Sequence, residues 1–156
     1  MTKSIDLYDS FQLYLQAGSE STLPHQLASL VHSSHTMVRL RVAENPKTPV
    51  SSIQILANDE SAEVRLALAT NSATPPELIH RLARDEDPTV RYGMAEDVNI
   101  AVEILEELAN DENPYVCARA TKTIKVITMK EQTLQCHPRF LNEIPRAAQS
   151  SEEAVS

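Results

Sequence analysis

Residues 56–71 read LANDESAEVRLALATN, and residues 82–97 read LARDEDPTVRYGMAED. The two stretches align with a step of 26 residues, which places Leu-Ala, Asp and Val-Arg at equivalent positions. A fixed period of this size is the sequence signature of a repeat architecture. We therefore interpret residues 22–134 as a domain of about four 26-residue units. Further apolar columns with this step are Leu27, Ile53, Ile79 and Leu105, and Val42, Leu68, Met94 and Ala120.

Each unit is predicted to contain two short helices. In the third unit Thr74 and Pro75 predict the start of the first helix, because a capping residue followed by proline is a common helix entry. Asp87 and Pro88 predict the start of the second helix in the same way. A helix pair of this size cannot bury its apolar face alone, so neighbouring units must stack. The expected fold is all-α, a right-handed α-solenoid of about four two-helix repeats.

The two ends of the chain depart from this pattern. Residues 1–21 contain a helix that does not obey the repeat, and we predict that it caps the N-terminal end of the solenoid. Residues 135–156 finish in small and polar residues, which predicts a flexible C-terminal tail.

Composition narrows the possible functions. Of the 156 residues 42% are apolar and 23% are charged, as in a soluble globular protein. The sequence has neither an apolar run long enough for a membrane helix nor a signal segment, so we expect a cytoplasmic protein without a membrane partner. A net charge of -8 disfavours nucleic acid as a partner, because neutralising phosphates requires a basic surface.

The Leu-Ala, Asp, Val-Arg and Asn-x-x-Thr-Pro columns resemble those of HEAT-like repeats, and especially the leucine-rich-repeat variant (LRV) type. The resemblance implies a binding scaffold whose second helices line the inner curve. Some variant-type proteins also carry an iron–sulfur domain with clustered cysteines. This chain has only Cys117 and Cys136, which do not form such a cluster, so no cofactor is expected.

The resemblance also implies a structural role for the aspartates and arginines. HEAT-like repeats often place an aspartate between the two helices and an arginine six residues later. Pairing them within each unit would leave Arg39 and Asp111 single, whereas pairing each arginine with the next unit's aspartate leaves none single. We therefore predict an inter-repeat ladder. Its pairs are Arg39–Asp59, Arg65–Asp85 and Arg91–Asp111.

A partner surface is predicted on the second helices. With Val64 and Leu68 on the buried side, a rotation of about 100° per residue points Leu66 and its equivalents away from the core. The alternative is that these side chains pack on neighbouring helices. Gly93 aligns with Ala67, which predicts a close approach of two helices. The predicted partner-binding residues are Leu40, Leu66, Tyr92, Tyr115, Glu63 and Glu96.

These features favour a non-catalytic scaffold or adaptor that binds a peptide or helix of a partner protein on its concave face. The alternatives are a nucleic-acid-binding HEAT-like protein, including a glycosylase, and an assembly or lyase-type accessory factor of a larger complex. We expect no catalytic residues and a monomer or weak homodimer. His32 and His35 have a spacing that could hold a metal, but acids and cysteines are not close by, so no metal site is expected.

Overall fold

The computed structural model describes residues 2–135, with side chains for residues 8–130 and 132. Helices and their connecting turns account for this part of the chain, which agrees with the all-α prediction. The predicted tail lies outside the described residues, apart from Gln135. The helices are α1 (Thr2–Gly18), α2 (Pro24–Leu30), α3 (Thr36–Glu44), α4 (Val50–Leu56), α5 (Ala62–Ala69), α6 (Pro76–Leu82), α7 (Pro88–Glu96), α8 (Val102–Leu108) and α9 (Pro114–Gln135).

The helices form two layers. The second helices α3, α5, α7 and α9 pack against one another in chain order, and α1 packs against α3 at the end of the row. The first helices α2, α4, α6 and α8 pack mainly on this row rather than on one another. The arrangement is that of stacked helical repeats.

The core consists of the columns that the 26-residue step defines. Val38, Val64, Val90 and Val116 are buried, and so are Leu27, Ile53, Leu105, Val42, Leu68, Met94 and Ala120. Ile79 is the exception in its column, because it is only partly buried. Its side chain lines a cavity between the third and fourth units.

The threonine before the first helix has a different role from the one predicted. Helix α6 begins at Pro76 with Pro75 at the N-cap, and Thr74 does not cap it. The equivalent Thr48 instead donates from Oγ1 to the Val42 carbonyl at 2.6 Å, which ties the turn to the preceding helix. The cap predicted at Asp87 is confirmed, because its side chain accepts from the Thr89 amide at 2.8 Å.

Helix α1 is in register with the repeat, so the prediction that it does not obey the repeat is wrong for its C-terminal half. Asn71 Nδ2 donates to the Ala43 and Asn45 carbonyls at 2.6 and 3.0 Å. One step earlier, Asn45 Nδ2 donates to the Ala17 and Ser19 carbonyls at 2.8 and 3.2 Å. The C-terminal half of α1 therefore occupies the place of a second helix in a preceding unit.

Candidate interaction surface

Three arginines join neighbouring units by the same bidentate geometry. Arg65 Nε lies 2.8 Å from Asp85 Oδ2, and its Nη2 lies 2.9 Å from Asp85 Oδ1. The corresponding distances for Arg39 and Asp59 are 2.7 and 3.1 Å. Those for Arg91 and Asp111 are 2.7 and 3.1 Å as well. Each contact crosses from the second helix of one unit to the inter-helix turn of the next.

Each of these arginines also contacts its own unit. Arg65 Nη1 donates to the carbonyl of Asp59 at 2.6 Å, and Arg91 Nη1 donates to that of Asp85 at 2.6 Å. The aspartates in turn accept a backbone amide two residues later, as Asp85 does from Asp87 at 2.9 Å. One guanidinium therefore holds two successive turns together. Bidentate pairs of this kind combine geometric specificity with strong, charge-assisted hydrogen bonds.

The ladder is shielded from solvent. The side chains of Arg65 and Asp85 are 10% and 8% exposed, and those of the other two pairs are covered to the same degree. Burial acts to raise the pKa of Asp85, but the hydrogen bonds from Arg65 and from the Asp87 amide outweigh it, so the pKa lies below its usual range. The bond to Asp85 likewise raises the pKa of Arg65. These covered, fully bonded groups support a structural role.

The predicted apolar strip is less exposed than the sequence indicates. Leu40 and Leu66 are partly buried and pack against the core. A Cβ atom on Gly93 would collide with the Leu66 side chain, so α5 and α7 approach closely there. Tyr92 is 39% exposed and Tyr115 is 77% exposed. Of the predicted apolar residues, the two tyrosines rather than the leucines are exposed enough for a partner to reach.

Further exposed side chains lie in the column of Tyr115, on helices nearer the N-terminus. Phe11 and Met37 occupy this column and are 54% and 53% exposed. A cavity of about 460 Å³ between α1 and α3 is lined by both, together with Tyr14 and His35. Phe11 and Tyr14 were not among the predicted partner-binding residues, because α1 was placed outside the repeat. We call Phe11, Met37, Tyr92 and Tyr115 the exposed strip, and Tyr14, which is partly buried against the core, lies beside it.

Acidic residues border the exposed strip. Arg41 stacks over the Tyr14 ring at 4.8 Å from its centroid, and its Nη1 lies 2.8 Å from Glu44 Oε2. Arg119 pairs with Glu96 in the same layer. The predicted residue Glu63 is exposed and has no ion pair within the described side chains. Arg41 and Arg119 are thus paired with acids, while exposed Glu63 and exposed Lys122, which aligns with Glu96, carry opposite charges.

Among residues 2–135 there is no group of three or more His, Cys, Asp or Glu side chains that could hold a metal ion. Across the same residues, no helix has the length and apolar character needed to cross a membrane.

One comparison with known proteins identifies the repeat. The model of the leucine rich repeat variant family matches residues 62–87, which include α5, α6 and the Arg65–Asp85 pair. Neither the curated proteins nor the solved structures gave a match. The resemblance to leucine-rich-repeat-variant proteins is therefore confirmed by the family match at residues 62–87.

Proposed function

We propose that this chain is a non-catalytic protein-interaction module that binds a segment of a partner protein along the exposed strip. The observation that carries the proposal is the placement of the aromatic residues. Every aromatic side chain that the structure describes lies on α1, α7 or α9, in the layer of second helices. These are Tyr8, Phe11, Tyr14, Tyr92 and Tyr115.

The core of the protein uses aliphatic side chains instead. Its largest fully buried members are leucine, isoleucine, methionine and valine. Aromatic side chains bury 150–250 Å² each and dominate the energetics of cores and interfaces. All five lie in the layer of second helices, and all except the partly buried Tyr14 are at least 39% exposed, so their apolar area is available to a partner. Tyrosine is a frequent anchor at interfaces.

The geometry of the layer suits an elongated partner. Packed helices lie about 9 Å apart, so the four steps from α1 to α9 span roughly 36 Å. An extended segment of about 11 residues covers that distance. The second helices pack directly on one another, whereas the first helices pack mainly on the second helices. The spacing between second helices is therefore shorter than that between first helices, which supports placing the second helices on the inner side of the curve.

The charge of the surface favours a basic partner. The whole chain carries a net charge of -8, and Glu63 has no cation beside it among the described side chains. We therefore propose an extended basic segment with apolar anchors as the occupant. Nucleic acid fits this surface poorly, because its phosphates would face the acids bordering the strip.

The test compares two double variants. Tyr92→Ala with Tyr115→Ala truncates two strip residues, whereas Val50→Ala with Ile55→Ala truncates two apolar side chains on α4 that are 47% and 46% exposed. Proteins captured by the wild-type chain from native lysate are cross-linked, and the contacting segment is synthesised for calorimetry. We expect the tyrosine variant to bind that segment about 30-fold more weakly or worse, a loss of about 2 kcal/mol.

The control separates folding from binding. Both double variants should retain the circular dichroism spectrum of the wild-type chain, because the four side chains lie at least one-third exposed. The α4 variant should bind the segment as the wild type does. Equal affinity of all three proteins, or cross-links confined to the first helices, would contradict the proposal.

A further inference from the structure

A row of main-chain carbonyls runs through the repeats near the ends of the second helices. Ala17, Ala43, Ala69 and Ala95 occupy equivalent positions with the 26-residue step. The Ala17 carbonyl accepts from Asn45, and the Ala43 carbonyl accepts from Asn71. At the far end, the Ala95 carbonyl accepts from Thr123 Oγ1 at 2.7 Å.

The row is interrupted at the third position. The residue that aligns with Asn45 and Asn71 is Asp97, and a carboxylate has no N–H to donate. The Ala69 carbonyl consequently has no hydrogen-bond donor within the described residues. The Asn71 carbonyl keeps the Thr74 amide at 3.0 Å, but lacks the side-chain donor that its equivalent Asn45 receives from Asn71.

Asp97 uses only one of its oxygens in the local turn. Its Oδ1 accepts from the backbone and side-chain nitrogens of Asn99 at 2.8 and 2.9 Å. The structure shows no hydrogen bond to Oδ2 from the residues it describes. Thr74 Oγ1 is buried and also has no partner within that part of the chain. Three oxygens of residues at this junction thus have unused acceptor capacity, namely those of the Ala69 and Asn71 carbonyls and Asp97 Oδ2, while Thr74 Oγ1 is buried.

These groups line one cavity of about 550 Å³ between the third and fourth units. Its walls also include Pro76, Ile79, Ala101 and Ile104, which are apolar. A carboxylate with unused carbonyl acceptors beside it, and apolar side chains in the same cavity, are the two parts of a site for an alkylammonium group.

We infer that this cavity binds a primary ammonium group on an alkyl chain, as a lysine side chain or a free polyamine carries it. The ammonium supplies the N–H donors that an asparagine amide supplies in the two preceding units. Its positive charge balances Asp97, and its methylene groups lie along Ile79 and Ile104. This cation site lies beside the inter-unit turns and the first helices, so it is independent of the exposed strip.

The chemistry favours an ammonium over a divalent metal. A hard cation such as Ca²⁺ takes six to eight oxygen ligands and is commonly held by several carboxylates. The cavity offers one aspartate, and none of its other lining residues, which include His80, is a carboxylate. An ammonium needs only three acceptors and gains from apolar side chains that cover its stem.

The experiment titrates the full chain with n-butylammonium chloride at constant ionic strength and follows backbone amides by ¹H–¹⁵N NMR. We expect saturable shifts at Ser72 and Asn99, which line the cavity. n-Butanol is the matched uncharged probe and should not produce them. Spermidine and a pentapeptide with one central lysine serve as further probes. The probe that binds more tightly shows whether the cavity takes a free polyamine or a lysine side chain.

Asp97→Asn is the decisive variant. It restores the amide of the two preceding units, so it should raise the melting temperature by a few degrees and weaken n-butylammonium binding by about tenfold or more. Glu106→Gln removes the same charge from an exposed position of α8 outside the cavity and should bind as the wild type does. Asn71→Asp should create a second site one unit earlier.

Three results would overturn the inference. The first is a folded wild-type chain whose Ser72 and Asn99 amides show no saturable shift with any of the amines. The second is equal binding by Asp97→Asn and the wild type. The third is that n-butanol shifts the same amides as n-butylammonium does, which would show that the cavity recognises the alkyl chain alone.

Discussion

Arg65 and Asp85 belong to adjacent repeat units, and the arginine contacts both the Asp85 carboxylate and the main-chain carbonyl of Asp59. A single side chain therefore fixes the distance between two successive turns. In a stack whose units contact only their neighbours, stability is the sum of unit and interface contributions. The Arg–Asp pairs belong to the interfaces between units. Loss of one arginine or aspartate therefore weakens the contact between two neighbouring units.

We expect Arg65→Ala to destabilise the protein by about 3–5 kcal/mol, because it leaves the covered Asp85 carboxylate without its partner. Arg84→Ala is the control, since Arg84 forms an ion pair with Glu107 but is 73% exposed. Its loss should cost no more than about 1 kcal/mol. Urea unfolding followed by circular dichroism measures both. Similar losses of unfolding free energy in the two variants would show that the ladder contributes no more than an exposed ion pair.

A double-mutant cycle tests the direction of the pairing. The side chains of Arg65 and Asp85 should show a coupling energy of about 1.5–3 kcal/mol, because the guanidinium donates two charged hydrogen bonds to the carboxylate. Arg65 and the Asp59 side chain should couple much more weakly, because Arg65 bonds to the Asp59 carbonyl, which Asp59→Ala keeps. A larger coupling within the unit than between units would contradict the ladder.

The ladder also sets the acid stability of the protein. The pKa values of Asp59, Asp85 and Asp111 lie below the usual range, so the folded chain binds fewer protons than the unfolded chain as the pH falls. Their stabilisation is complete above the usual aspartate pKa of about 3.9 and is lost as the pH falls through the lower folded values. We expect unfolding free energy to fall steeply below about pH 4.

The comparison for this pH dependence is the Arg65→Met variant. Removing the guanidinium removes the main group that lowers the pKa of Asp85, so the variant should lose less stability between pH 5 and pH 2 than the wild type. Unfolding free energies measured across this range in both proteins give the two slopes. Parallel slopes would show that the acid sensitivity comes from other carboxylates.

The ladder could be predicted from the sequence by asking which units contain the arginine and which contain the aspartate. The first unit has Arg39 without an aspartate, and the last unit has Asp111 without an arginine, so only pairing between units satisfies every group. That argument needs the register of the repeat and no distances. It succeeds because an unpaired buried charge is costly enough to exclude the alternative.

The asparagine row and the position of α1 could not be obtained in this way. The column of Asn45, Asn71 and Asp97 is visible in the sequence, but the 26-residue step does not show that the asparagine amides donate to carbonyls of the preceding unit. The sequence did contain one usable signal. The five-residue spacing from Ala17 to Thr22 recurs in the next two units, and it places α1 in register.

The exposure of the strip depends on distances between helices, which a helical wheel does not contain. The wheel correctly turns Leu66 away from its own unit's core, but Gly93 lets the next helix approach until it covers that side chain. Tyr92 lies beside that glycine and stays more exposed. Which member of one column is accessible is thus decided by the residue that faces it across the stack.

Gly93→Ala tests this close approach, because two effects change the free energy of unfolding in opposite directions. Helix propensity alone favours alanine over glycine by about 1 kcal/mol. A Cβ atom at this position would collide with the Leu66 side chain, and overpacking of this kind costs about 1–3 kcal/mol. We expect the collision to dominate, so Gly93→Ala should lower the free energy of unfolding in urea.

Combined with Leu66→Ala, which removes the colliding methyl groups, the same change should become neutral or stabilising. A Gly93→Ala variant that is more stable than the wild type by itself would show that α5 and α7 are not held at this distance.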